Sequence, residues 1–202
     1  MNCALAPVMR SARAAGIKVI LDGTGLDEAF GGYRNHHDLF LGIALRNGAA
    51  NADAALAAYG RNWGTSEAAA RKAATRSLEL SPTAIDGTIS VRPELLDATL
   101  KQIVVDEPRR VATGDPLRDA LIDYLQVQKI PRNTRMKDRL SMAFGLELRL
   151  PFLDHRLVEF ALSLPSEYYF LEGRSKSIVR EALAGAMVDS VRLASKRSMQ
   201  AP

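Results

Sequence analysis

Residues 17–33 read IKVILDGTGLDEAFGGY, an apolar and largely β-branched run followed by a glycine-rich turn. The run over 17–21, bounded by Gly16 and Gly23, predicts a buried strand. Residues 26–30 then have the pattern of a helix start. The turn would lie at the carboxyl end of the strand, where open α/β sheets bind their ligands.

The rest of the chain carries helical patterns. Apolar residues recur at helical spacing over residues 1–15, 38–80, 116–128, 136–148, 154–164 and 175–187. Ser66 or its neighbour Thr65 is expected to cap the helix that begins near residue 68, and Asp154 and Ser175 to cap the last two helices. Pro93 is expected to open a further helix. We therefore expect an α/β fold that is predominantly helical.

A single parallel-type strand is not stable without sheet partners. Two explanations stay open for the lone strand over 17–21. Either further strands escape the pattern, or they lie in sequence outside this chain.

Composition narrows the class of protein. The chain has 202 residues, of which 47% are hydrophobic and 25% charged, which is the profile of one globular domain. No run approaches the roughly 18 apolar residues of a membrane helix, and no signal-peptide pattern opens the chain. Cys3 is the one cysteine, so no internal disulfide forms, and we expect a small apolar role for it in the first helix and a cytoplasmic protein.

The charge pattern favours small anionic ligands over nucleic acid. A net charge of +4 favours phosphate-bearing ligands through the summed field. A nucleic-acid partner stays a further hypothesis because of one basic cluster, but its residues are not interleaved with aromatic stacking platforms. The cluster comprises Lys129, Arg132, Arg135, Lys137 and Arg139. The histidines have no ligand spacing, so no zinc site is expected.

The turn over residues 22–25 has the composition of an anion-binding loop. Its glycines allow close approach of a ligand, and the amides that open the next helix would point at negative charge. A Walker A lysine is missing, and Glu28 stands where a dinucleotide fingerprint has its third glycine. Asp27 and Glu28 would repel phosphate unless a cation lies between, so Asp27 is a candidate Mg²⁺ ligand. The alternative is a plain turn whose acidic residues favour the helix dipole.

Three blocks, over residues 19–33, 138–154 and 173–180, resemble the glutamine-dependent asparagine synthetases. They read VILDGTGLDEAFGGY, DRLSMAFGLELRLPFLD and GRSKSIVR. The family typically has Ser-Gly-Glu-Gly-x-Asp-Glu-Leu-Phe-Gly-Gly-Tyr in the first block and Gly-x-x-Lys-x-x-Leu-Arg in the third. The three blocks occur here in the family's order.

The resemblance implies a parallel-sheet domain of the adenine-nucleotide alpha-hydrolase-like (ATP pyrophosphatase) type. It implies an amide-forming ligase that uses ATP and Mg²⁺. ATP would adenylate the side-chain carboxylate of aspartate with release of pyrophosphate, and ammonia would then displace AMP. The ammonia would come from glutamine through a separate glutaminase domain on the parent chain.

The resemblance also implies roles for single residues. Asp22, Gly23 and Gly25 match positions that contact ATP or pyrophosphate. Asp27 matches the loop aspartate associated with Mg²⁺ and pyrophosphate, and Lys176 matches the lysine that neutralises charge developing in the reaction. Glu147 and Arg149 of the second block are expected to form an interior ion pair.

Several positions depart from the family pattern. Thr24 stands where the family usually has a glutamate that assists adenylation, and Asp22 and Leu26 are also variant. A carboxylate other than aspartate is therefore an alternative substrate. No Ser-Gly-Gly-x-Asp-Ser loop occurs, so residues 1–202 are expected to be a partial synthetase domain without the first ATP-site loop or the glutaminase domain. The remaining alternative is a non-catalytic helical interaction remnant.

Overall fold

A computed structural model describes residues 2–79, 97, 99 and 111–195. The expected helix at Pro93 and the side chain of Cys3 lie outside the described residues. The helices are α1 (Asn2–Ala14), α2 (Leu26–Ala29), α3 (Arg34–Arg46), α4 (Ala52–Trp63), α5 (Glu67–Ser77), α6 (Pro116–Asp123), α7 (Ile130–Ala143), α8 (His155–Ser163), α9 (Ser177–Ala182) and α10 (Asp189–Arg192). The strands are β1 (Val19–Leu21) and β2 (Glu147–Arg149).

The helical predictions are largely confirmed, with differences at the ends of elements. The alanine-rich region divides into α3, α4 and α5, and Ser66 caps α5 by accepting from the Ala69 amide at 3.2 Å. Asp154 caps α8 as expected. The helix predicted from Pro116 passes into a π-helical turn over Tyr124–Gln128. The cap predicted at Ser175 is wrong, because α9 begins at Ser177 and follows a left-handed residue.

The sheet contains a strand that the helical pattern concealed. β2 pairs with β1 in parallel, with Val19 opposite Glu147 and Leu21 opposite Arg149. The prediction of one helix over 136–148 is wrong beyond Ala143, because Gly145 turns the chain at φ 64°. Residues 147–149 mix apolar and charged side chains and continue the spacing of the helix before them. Only their pairing with β1 identifies them as a strand.

The strand pair is far more exposed than the sequence predicts. Val19 is 41% and Leu21 73% exposed, so the prediction of a buried strand is wrong for the described part of the chain. The Glu147–Arg149 ion pair does form, with Nε and Oε1 2.9 Å apart, but its side chains are 57% and 61% exposed rather than interior. Both residues lie on one face of a sheet that has two strands within the described ranges.

Helices α2, α8 and α9 form the apolar support beneath the glycine-rich turn. Ala29, Phe30 and Ala161 are buried together, and Leu26 and Val179 pack against them. A second apolar cluster joins α3, α4 and α5 through Leu41, Leu56, Tyr59, Ala70 and Ala74. No helix within the described residues is both long enough and apolar enough to cross a bilayer.

His37 connects α3 and α4 to the segment before α9. Its ring is 1% exposed, stacks on Phe170 at 4.5 Å between centroids, and meets the edge of Tyr59 at 4.7 Å. Trp63 Nε1 donates to its Nδ1 at 3.3 Å. Burial lowers the pKa of His37 to about 3, so the residue is neutral in the folded protein.

We expect His37 to make the protein acid-sensitive. The unfolded chain binds a proton at this residue below pH about 6.5, but the folded protein does not until about pH 3, so stability falls as the pH drops between these values. Proton uptake by His37 in the unfolded chain should lower the free energy of unfolding by about 2 kcal/mol at pH 5 relative to pH 7.5. Urea titrations of His37→Phe should lack this loss. The exposed-residue control His155→Gln should retain it, and equal pH slopes for His37→Phe and the wild type would contradict the assignment.

A close backbone approach at Gly173 positions the third sequence block. A Cβ at Gly173 would lie 2.4 Å from the carbonyl carbon of Ala58 and 2.5 Å from the nitrogen of Tyr59. Its φ is +72°. Only glycine therefore lets residues 171–173 lie directly on α4. This contact fixes the position from which the rest of the third block extends.

Gly173→Ala and Gly185→Ala form a matched pair for this contact. Gly185 has a similar φ of +79° but nothing within 4 Å of an added Cβ. Gly185→Ala should therefore cost only the left-handed penalty of about 1–2 kcal/mol. Gly173→Ala should cost about 1–3 kcal/mol more, because the methyl group overlaps α4. Urea unfolding measures both, and equal losses would rule out the close contact.

Candidate functional site

The glycine-rich turn packs on the second sequence block. Residues 22–25 leave the carboxyl end of β1, and Gly25 adopts φ +102°. A Cβ there would lie 2.5 Å from Leu153 Cδ2 and 3.1 Å from the Phe152 carbonyl oxygen. Glycine is required at this position for both the backbone angle and the contact. The first and second blocks therefore meet at this turn.

Glu28 fixes the start of α2 from inside the protein. Its side chain is buried at 3% exposure. Oε2 accepts from the Gly25 amide at 3.1 Å, and Oε1 accepts from the Tyr33 hydroxyl at 2.6 Å. Burial and the adjacent Glu28 raise the pKa of Tyr33 well above its usual value. Glu28 thus acts as the capping-box residue of the turn, a role that its spacing from Gly25 signals.

The turn's own groups satisfy most of its amides. The Thr24 amide donates to Asp22 Oδ1 at 2.7 Å, and the Gly25 amide donates to Glu28. The Leu26 amide donates to the Gly23 carbonyl at 3.3 Å. In this conformation these three amides are already paired within the turn, and binding of an anion by the turn stays a prediction. α2 has only 4 residues, which also limits any dipole.

Lys137 clamps the first half of the turn. Its Nζ lies 3.0 and 2.8 Å from the two carboxylate oxygens of Asp22 and 2.6 Å from Thr24 Oγ1. The Thr24 hydroxyl also donates to Asp22. The lysine and aspartate side chains are only 18% and 22% exposed. Burial raises the pKa of Asp22, but the hydrogen bonds from Lys137 and Thr24 outweigh it and hold that pKa below its usual value.

Lys176 pairs with Asp27 in α2, directly after the turn. Nζ and Oδ1 are 2.8 Å apart, and the side chains are 20% and 27% exposed. A Cβ at Gly32 would lie 1.9 Å from Asp27 Oδ1, so this glycine makes room for the carboxylate. Lys176 adopts φ 57°, a left-handed conformation that costs a non-glycine residue energy. A lysine keeps such a conformation only where the surrounding structure holds it there.

The structure brings the sequence-predicted site residues together. Asp22, Gly23, Thr24 and Gly25 form the turn, Asp27 lies in the first turn of α2, and Lys176 reaches the site through its contact with Asp27. Lys137 was not predicted as a site residue, because it falls in the basic cluster of the sequence. Its position directly before the second block was the one available signal.

The basic cluster does not remain intact as a surface patch. Lys137 is turned to Asp22, and Lys129 Nζ lies 4.0 Å from the ring centre of Tyr33. These positions remove two cations from the proposed nucleic-acid surface. Within the described ranges, no group of three or more acidic, histidine or cysteine side chains could hold a metal ion.

A parallel strand pair, a glycine turn at its carboxyl end and two lysine–aspartate pairs define an α/β protein, mostly helical, with a polar site at the end of its sheet. Residues 1–202 match the family model described as asparagine synthase. The chain belongs to the asparagine synthase family, a family of ligases named for asparagine formation.

The similar curated proteins carry the same family name. The chain is 47% identical over 55 residues to asparagine synthetase (glutamine-hydrolyzing) 3 of Bacillus subtilis, which is 27% of this chain and 9% of that protein. Over 45 residues it is 51% identical to the asparagine synthetase (glutamine-hydrolyzing) of Rattus norvegicus, 22% of this chain and 8% of that protein. The match to the Gallus gallus enzyme of that name is 63% over 30 residues, 15% of this chain and 5% of that protein. No solved structure matches the chain significantly.

We expect Lys137→Met to loosen the turn without disturbing α7. Asp22 would keep its burial but lose its cation, so the pKa of its carboxyl should rise. Unfolding should become easier by about 1–2 kcal/mol, between the values for surface and buried pairs. Urea titration and NMR titration of the Asp22 carboxyl measure these effects. Arg135→Met, an exposed cation on the same helix, is the control, and an equal loss there would contradict the clamp.

Proposed function

We propose that the protein is part of an ATP-dependent amide-forming ligase of the asparagine synthase (glutamine-hydrolysing) type. In this reaction ATP adenylates a carboxylate, pyrophosphate leaves, and ammonia displaces AMP. The observation that carries the proposal is the Asp27–Lys176 pair at 2.8 Å, which joins the first and third sequence blocks at the carboxyl end of β1. An adenylation site needs a cation at this position because negative charge develops on the reacting phosphate and on the pyrophosphate that leaves.

The wider architecture follows from the same proposal. The β1–β2 pair would belong to a larger parallel sheet of the adenine-nucleotide alpha-hydrolase-like (ATP pyrophosphatase) class. Residues 1–202 would form a partial synthetase domain, with the first ATP-site loop and a glutaminase domain elsewhere on the parent chain. The substrates would be ATP, aspartate or another carboxylate, and ammonia from glutamine. A cytoplasmic location suits this chemistry.

The two lysines have separate roles in this mechanism. Lys176 holds its ammonium group against Asp27, and because the two side chains are 20% and 27% exposed, a reacting oxygen that enters the site can reach that group. Its left-handed backbone directs the side chain to the turn before any substrate binds. Lys137 keeps Asp22 ionised and Thr24 in place, and so acts as a positioning residue for the turn.

Magnesium fits the site only in company with phosphate. Asp27 is the one candidate ligand in the turn that the resemblance supplies, and its Oδ1 contacts Lys176. Mg²⁺ is commonly held by one or two carboxylates together with substrate phosphates, so Asp27 suits a shared ion rather than a protein-only site. When bound, Mg²⁺ would neutralise the phosphate charge.

Thr24 changes the charge of the turn relative to the usual glutamate. A threonine hydroxyl cannot serve as a carboxylate, and Asp22 beside it is neutralised by Lys137. The first half of the turn therefore carries no net negative charge. This difference supports a related amidotransferase that acts on another carboxylate as the second candidate.

ATP–pyrophosphate exchange tests the proposal. The full-length protein should exchange labelled pyrophosphate into ATP when aspartate or another carboxylate is present. Lys176→Met should lower the exchange rate about 10²–10³-fold, the loss typical of removing one charge-stabilising donor. Lys72→Met, an exposed lysine on α5, should leave the rate unchanged.

A further variant separates a catalytic lysine from a structural one. Lys176→Gly removes the ammonium group but relieves the left-handed strain, so thermal stability should hold while exchange is lost. No exchange with any carboxylate would overturn the proposed function. The remaining interpretation would then be a non-catalytic helical interaction module.

A further inference from the structure

An apolar pocket opens beside Lys176. Its volume is about 180 Å³, smaller than the roughly 300–1,000 Å³ of sites that enclose a whole drug-sized ligand. The apolar lining comes from Leu26 at the start of α2, from α9, from the segment that follows α9 and from α10. It consists of Leu26, Val179, Leu183, Met187 and Val191. The pocket is therefore of a size for one part of a substrate.

The charged residues of the pocket lining are all cations, and two of them have carboxylate partners beside the pocket, Lys176 with Asp27 and Arg192 with Asp189 and Glu181. Lys176, Arg180 and Arg192 complete the lining, and none of the described lining residues carries negative charge. Arg180 is committed to backbone, with Nε donating to the Ser175 carbonyl at 2.9 Å. Arg192 Nε donates to Asp189 at 2.8 Å. Lys176 is the lining cation that also belongs to the turn site.

Apolar walls with a cationic rim select one class of ligand. A carboxylate gains from the cations, and an aliphatic or aromatic body gains from leaving water. An α-ammonium group would find no carboxylate among the described lining residues, and the carboxylates beside the pocket, Asp27, Asp189 and Glu181, already pair with lining cations, so the group is disfavoured. Aspartate carries such a group. Leu26 supplies part of the apolar wall.

We propose that this pocket binds the apolar body of a monocarboxylate substrate whose carboxylate lies at Lys176. This inference rests on the proposed function for its catalytic meaning, but binding can be measured without turnover. The substrate class is a carboxylate with an aliphatic or aromatic body and no cationic group next to the pocket. The loss of the usual glutamate at Thr24 is consistent with such a change of substrate.

Binding of simple carboxylates tests the pocket directly. The full-length protein, labelled at methionine methyl groups, is titrated with acetate, butyrate, 4-methylpentanoate and aspartate at constant ionic strength. The Met187 methyl signal should shift with 4-methylpentanoate and stay unchanged with acetate and aspartate. Affinity should improve about fourfold for each methylene until the pocket is full, and then level off. A continued gain with longer chains would indicate a nonspecific apolar surface and overturn the proposal.

Two variants and one control locate the binding. Met187→Gln and Val191→Gln change side chains that are 38% and 58% exposed, so both should fold. Each should weaken 4-methylpentanoate binding at least fivefold. Met142→Gln changes a methionine that is 61% exposed on α7, outside the pocket lining, and should leave binding unchanged. Equal affinities in all three variants would overturn the proposal.

Exchange measured on the same protein distinguishes the two proposals. Binding at Met187 without exchange for any carboxylate would support the pocket and defeat the proposed function. Exchange with aspartate that 4-methylpentanoate does not inhibit, together with an unmoved Met187 signal, would support the function and overturn the pocket. Exchange with an apolar carboxylate in place of aspartate would support both.

Discussion

The ion pair between Asp27 and Lys176 ties together parts of the chain that are far apart in sequence. Asp27 follows β1, whereas Lys176 follows a short segment that packs on α4 through Gly173. The pair forms because Gly32 leaves room for the carboxylate and because Lys176 accepts a left-handed backbone. The packing of residues 171–173 on α4 therefore helps to position Lys176 for its ion pair with Asp27.

The turn is held by its own charged groups before any ligand is present. The carboxylates of Asp22 and Glu28 accept hydrogen bonds from the amides of Thr24 and Gly25, respectively. Lys137 neutralises Asp22, and Lys176 neutralises Asp27. Partly buried pairs of this kind contribute little net stability, because desolvation offsets their attraction. Their main effect is to fix geometry. A phosphate or carboxylate that enters the site would have to replace the aspartate partners of the two lysines, because both ammonium groups are already paired.

The sequence predicted the fold well wherever the signal is local. Helix α5 begins after Ser66 and α8 after Asp154 because a capping side chain needs only amides two or three residues away. β2 escaped the pattern, since a short strand is recognised by its partner and not by its own residues. The exposure of the strand pair was not predicted either, because the alternation of side chains along a strand does not show whether another element covers its faces.

The sequence by itself determined the order of the turn, its acidic residues and the glycines, and through them the family. These features depend on backbone angles and on hydrogen bonds over a few residues, which a linear pattern encodes. Only the tertiary structure decided that Lys137 meets Asp22, that Lys176 meets Asp27, and that an apolar pocket lies beside that lysine. The physical reason is that such meetings depend on how α4, α7 and α9 pack. Packing at this range is set by the shapes of many side chains together rather than by the spacing of any few.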